Sequence, residues 1–298
     1  MPMRIILTFL ILCTSALVWG QEDLQWWDDI HNWEGNGPRE HSLIESSEYF
    51  GPNALPPLQA LNGLIPQEGN FDFSALGHFA KGDLTLNNYV KVQIPLAKGL
   101  VAFNTWLVPI EYYQTDTVIR DKRRALERDG RGIAGGDFYF TSLIQVIKDH
   151  EKLPNIIFRM GFKTASGTNQ KAARYTETPG YYFDVTAGKD LKNSAFSYSL
   201  GAGFYAWQTY SAVNPQDDAF SYAVRLDYKG LKSILLQSNL RGYLGYRNNG
   251  DRPMIAQLGA EISLSKQMQG IIKVQHGIFD YPFTSAELGI SYRPALGL

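Results

Sequence analysis

"DAFSYAVRLDYKG", residues 218–230, alternates apolar and polar side chains almost without a break. Phe220, Tyr222, Val224, Leu226 and Tyr228 share one parity; Ser221, Ala223, Arg225, Asp227 and Lys229 share the other. A strand sends successive side chains to opposite faces, so this one has an oily wall and a charged wall. A soluble sandwich would turn the oily wall inward, and a barrel in a bilayer would turn it outward.

The same texture runs from about Phe71 to Arg293. Strands are expected near 71–80, 84–95, 100–113, 135–148, 155–165, 180–191, 195–208, 219–229, 232–246, 252–265, 269–279 and 284–293. Most are roughly 10–14 residues long, above the ~5–6 usual in globular proteins and suited to the ~9–11 that cross a bilayer at a tilt. The connections sort by parity. "LAKG", "HEKLP", "KNS", "KGL" and "KQM" are tight, whereas the segments after "EYYQT", through "SGTNQKAARYTETP", "YSAVNPQDD" and "RNNGDR", and the intermediate "DYPFT", are longer. Outer-membrane barrels alternate in this way, with short turns toward the periplasm and long loops outside. A sandwich has no reason to do so.

The oily wall is therefore expected to face lipid. No backbone donor can go unpaired there, so the strands must close into a ring without edges. The reading is all-β: a closed antiparallel transmembrane β-barrel of about twelve strands with an irregular N-terminal segment. Aromatics gather beside the long loops at Tyr112–Tyr113, Phe138–Phe140, Tyr181–Phe183, Tyr205, Trp207, Tyr210, Tyr243, Tyr246, Phe279, Tyr281 and Phe283. They are expected to form a girdle at the membrane interface, with Trp106 and Phe158 out of place in mid-strand.

Composition agrees. Aromatics are 13% and charged residues 19%, with 17 Tyr and 28 Gly, a mixture suited to strands and turns. Net charge is −1, which gives no global case for nucleic acid. Residues 1–20, a short basic start followed by an apolar run, read as a secretory signal peptide. They contain Cys13, the one cysteine, so no disulfide framework is expected. Residues 21–70 are expected to be an irregular segment, periplasmic or docked in the lumen, with a short helix; residues 71–298 form the barrel. Over about 71–293 the chain resembles the small outer-membrane β-barrel proteins of Gram-negative bacteria. "FGPNALP" looks like an element found before barrels of the Bacteroidetes type. One departure is that Tyr292 is followed by six more residues, where such barrels often finish on an aromatic.

The inward parity collects Arg159, Lys163, Asp184, Asp190, Arg225, Asp227, Arg241, Gln257, Glu261, Lys273, Gln275 and Glu287. Two readings stay open: a selective polar channel, or a lattice of ion pairs filling a modest interior. His276 falls on the lipid-facing parity near the outer rim, where an outer-membrane phospholipase keeps its general base. The serine such an enzyme needs two residues later is Ile278 here, and Ser285 points inward. No catalytic constellation results. Arg120, Lys122, Arg123 and Arg124 lie in the longest outer loop, in a short helix expected to end at Gly130, and could meet lipid phosphate. "GRGIAGGD" lacks the ending of a phosphate loop, and the five histidines show no metal-ligand spacing. No cofactor is expected. The expected partner is outer-membrane lipid, with other envelope proteins or peptidoglycan reached through the N-terminal segment. The expected function is a channel or transport barrel for small solutes. A structural or assembly subunit is the alternative, and a lipid-acting enzyme comes third.

Overall fold

The computed structural model describes residues 23–294 apart from residue 212. The signal-peptide expectation lies outside the described residues. Two compact units divide the chain after Asn36. The first contains helix α1, Gln25–His31, closed by Asn32 in the left-handed region with its N–H donated to Asp28 O.

The second unit is the barrel. Its strands are β1 Asn70–Ala80, β2 Asp83–Leu96, β3 Val101–Leu107, β4 Glu111–Thr115, β5 Arg131–Ala134, β6 Tyr139–Ile147 and β7 Asn155–Lys163, followed by β8 Gly180–Asp190, β9 Phe196–Gln208, β10 Gln216–Leu231, β11 Ile234–Gly245, β12 Met254–Ser263, β13 Met268–Phe279 and β14 Thr284–Tyr292. All neighbours are antiparallel, and β1 pairs with both β2 and β14, so the sheet closes. β3 and β4 both pair with β2 and make one interrupted wall strand; β5 only extends β4. The wall is thus a closed barrel of twelve strands. The expected strand at 135–148 begins four residues later, because 135–138 belong to the outer loop. The first outer connection, 81–82, is a two-residue turn and breaks the length alternation.

The oily parity of β10 does face outward: Phe220, Val224 and Leu226 are 43–48% exposed, while Ser221 and Asp227 are buried. The neighbours match, with Val224 opposite Leu200 on one side and Leu240 on the other. In water so much exposed apolar wall would drive aggregation; against lipid tails it is solvent-matched.

The aromatic girdle needs correction. Tyr112, Phe138, Phe140, Tyr181, Phe183, Tyr210, Tyr246 and Phe279 are exposed, but Tyr113, Tyr139, Tyr182, Tyr205, Trp207, Tyr243, Tyr281 and Phe283 are buried. Period two is the reason: in "FYF" or "YYF" adjacent rings must take opposite walls. Trp106 also turns inward and stacks on Tyr139 at 3.8 Å between centroids. Half of the aromatics therefore line the upper lumen.

Candidate functional site: the occupied lumen

Residues 37–69 thread the barrel from the long-loop end to the short-turn end. At the outer mouth Ser46 Oγ donates to Asn249 O, Glu48 N donates to Gly250 O, and Lys122 Nζ donates to Glu48 Oε1 at 2.6 Å. Below, Phe50, Ala54 and Leu55 are fully buried against Tyr139, Tyr182, Tyr205, Trp207 and Tyr243. Lower still, Gln59 Nε2 donates to Tyr89 Oη, and Leu61 and Ile65 pack on Leu143 and Ile157. At the inner end Gly63 has a φ of +90°, and a Cβ there would lie 2.7 Å from Gly188 N. Glycine is required at that position by conformation and by space.

Buried charges hold the outer loops onto this segment. Arg174, in the 164–179 loop, donates to Glu111 Oε1 at 2.8 Å and Asp83 Oδ2 at 3.0 Å. Arg123 Nη1 donates to the same Asp83 oxygen at 2.6 Å, and Tyr175 Oη donates to Glu111 Oε2. Burial alone would lower the Arg174 pKa, but Glu111 and Asp83 outweigh it and hold the guanidinium above its usual value. The cluster touches the lumen segment directly. Asn53 Nδ2 donates to Glu111, Gly51 N donates to Ala173 O, and a Cβ on Gly51 would strike the Arg174 guanidinium at 2.8 Å. "FGPN" and "AARY", which nothing in the sequence pairs, therefore meet. Glu45 is 5% exposed at the mouth. Its Oε1 accepts from Tyr210 N at 2.6 Å, and burial pushes its pKa up to about 7 against that bond and the Lys163 and Arg247 charges.

The residues singled out from the sequence divide by wall. Arg159 pairs with Asp184 at 2.6 Å, Lys163 with Asp137 at 2.8 Å, and Arg225 with Asp227 at 2.8 Å, all under or beside the lumen segment. Arg241 is buried and donates to Asn239, Gln257 and Gln275. On the opposite wall Lys273 pairs with Glu287 at 3.1 Å and Glu261 meets Arg293 at 3.4 Å, with side chains 12–36% exposed. Lys91 and Asp72 continue this partly exposed surface. Asp190 sits with Lys229 at the inner rim, 71% exposed, and does not line the lumen. Most of these charges face an opposite charge, as a low-dielectric interior demands.

The basic loop also differs from expectation. Helix α2, Thr117–Lys122, is capped by Asp116 and gives way to Arg123 and a left-handed Arg124, well before Gly130. Arg123 is 2% exposed and spends its charge on Asp83, so it is not available to a headgroup. Arg120 pairs with Asp121 at 2.7 Å. His276 lies on the lipid face with Thr284 Oγ1 at 2.8 Å, while Ser285 is inside, bonded to His78. Among the described residues no His/Cys/Asp/Glu group is arranged to hold a metal.

No family model matches the chain, and no curated protein does. Solved structures do. The COG4313 outer membrane channel from Pseudomonas putida F1 aligns with a TM-score of 0.55 at 9% identity, covering 84% of this chain and all of that one. The KdgM porin, solved in complex with disordered oligogalacturonate, aligns with a TM-score of 0.50 at 10% identity over 75% of this chain and 98% of its own. At such identities the likeness concerns the fold: this chain has the outer-membrane β-barrel architecture, whose outer wall meets lipid.

Proposed function

We propose that the protein is an outer-membrane channel or transport barrel for small solutes, and that residues 37–69 close it in the state described. One observation carries this reading. The lower part of the lumen segment leans mainly on β6–β10 and leaves inward charges on the inner half of the β11–β14 and β1–β2 wall partly exposed. Lys91, Asp72, Glu261, Lys273, Glu287 and Arg293 lie there, all partly exposed although they point inward. A solid structural barrel would bury that wall too. The upper aromatic layer and the Arg174 cluster then act as the closed end. The absence of a completed nucleophile–base pair around His276 favours transport over lipid chemistry. Partners among other envelope proteins remain part of the proposal. Ser46 and Glu48 lie at the long-loop end, which favours an outer contact over peptidoglycan. Contact of the basic loop with lipid phosphate is part of the same proposal, through Lys122, whose side chain stays 47% exposed beside Glu48. A Bacteroidetes-type kinship is part of the proposal and rests on the "FGPNALP" element alone.

The test is planar-bilayer conductance of the full chain carrying a protease site at Gln67 and Glu68, two exposed residues, before and after cutting. Conductance is expected to rise once the freed segment leaves. A folded, emptied barrel that carries no current overturns the channel reading.

A further inference from the structure

The lumen wall touches the threaded segment chiefly as a hydrogen-bond donor to its backbone. In the upper half Tyr281 Oη donates to Pro52 O at 3.2 Å, Tyr139 Oη to Ala54 O at 3.3 Å and Tyr243 Oη to Leu55 O at 3.0 Å. In the lower half Arg159 Nη1 donates to Gln59 O at 2.8 Å and Arg225 Nη1 to Ala60 O at 3.1 Å. Ser199 Oγ then reaches Leu61 O at 2.6 Å, and Gln145 Nε2 reaches Gly63 O at 2.9 Å. These donors come from β6, β7, β9, β10, β11 and the connection before β14, and they follow one another down the axis. None of these bonds reads a side chain.

The occupant is matched to such a wall. Residues 49–66, "YFGPNALPPLQALNGLIP", hold no charged side chain, although charged residues line the wall around them. Four of them are prolines, which have no N–H to satisfy and favour an extended backbone. An acceptor-rich, donor-poor chain thus lies against a donor-rich wall, and the aromatic layer above takes the apolar side chains. We propose that the lumen is a track for extended, uncharged, proline-bearing peptides, gripped through their carbonyls, and that residues 49–66 are its resident occupant. This names a substrate class for the same passage and rests on the channel reading. The donors would hold any chain of this chemistry that displaced the resident one.

The test uses the full chain cut at Gln67 and Glu68 after folding and washed with urea to release the segment. A fluorescent peptide of residues 49–66 is expected to bind the emptied barrel and to block its current. A shuffled peptide with the prolines kept in place is expected to bind within about tenfold, and a dextran of equal mass not to block. Ser199→Ala and Tyr281→Phe each remove one donor without uncovering a charge, and each is expected to weaken peptide binding about fivefold. If the segment resists the wash, Phe50→Ala in the cut chain loosens it; a label still excluded then overturns the track. So does an emptied barrel that conducts but ignores both peptides, or one that accepts only the native order; either result leaves the channel reading standing. Peptide binding without any current is the opposite case: the channel reading fails and passage along the track fails with it, while the carbonyl grip on the peptide stands.

Discussion

Glu45 should make the outer closure sensitive to pH, and the size of the effect can be worked out. Released into water, its carboxyl titrates near the ordinary 4.5; docked, near 7. A raised carboxylate pKa means that docking is uncompromised below the lower value and weakens as pH climbs through the interval between them, because ionisation is then easier in the released state. At ~1.4 kcal/mol per unit the full swing is about 3 kcal/mol, and between pH 5 and pH 8 it is about 2.5 kcal/mol, on the order of seventy-fold in the docking equilibrium. The expected observable is amide hydrogen exchange at residues 45–50, compared between wild type and Glu45→Gln so that the intrinsic pH dependence of exchange cancels. Wild type should lose protection relative to the variant as pH rises from 5 to 8. Identical profiles would show that the carboxyl is not buried against Tyr210 N, and the account of the mouth would fall.

Three further outcomes follow from the packing. Arg174→Ala leaves Asp83 and Glu111 short of a cation and should cost about 3–5 kcal/mol, seen as earlier proteolysis of the 164–179 loop and a lower Tm in detergent. Val224→Arg puts a charge on the lipid face of β10 near mid-span and should destabilise the barrel by roughly 2–4 kcal/mol in urea titrations in bilayers. Gly63→Ala meets both a positive φ and the Gly188 backbone, so it should detach the inner part of the segment and raise exchange at 61–65 while the wall strands keep their protection.

The wall was legible because period two is a local property: each of the twelve expected strands has a counterpart, and parity alone put Arg225 inside and Val224 outside. What parity could also have delivered, and did not, was the split of the ring-rich runs. Treating Tyr181, Tyr182 and Phe183 as one belt ignored that neighbours cannot share a face. The lumen segment was harder. Residues 49–66 have no period because they belong to no ladder, and their partners lie about 30–230 positions away, as with Gln59 and Tyr89 or Pro52 and Tyr281. Arg123 misled for a related reason: a basic run looks like one surface, yet a helix only six residues long turns its members in different directions.

Closure of the wall depends on β1 meeting β14, the first strand and the last, and β1 begins directly after the threaded segment. Until the final strand is in place the sheet is an open trough with its donors bare. The segment can settle along β6–β10 during that interval, sideways and without passing through any opening. Once the seam zips, the same segment is enclosed, and leaving requires travel along the axis past every carbonyl contact. Assembly and escape therefore take different routes. A barrel whose seam forms early should be trapped empty, whereas one that seals on schedule is born corked.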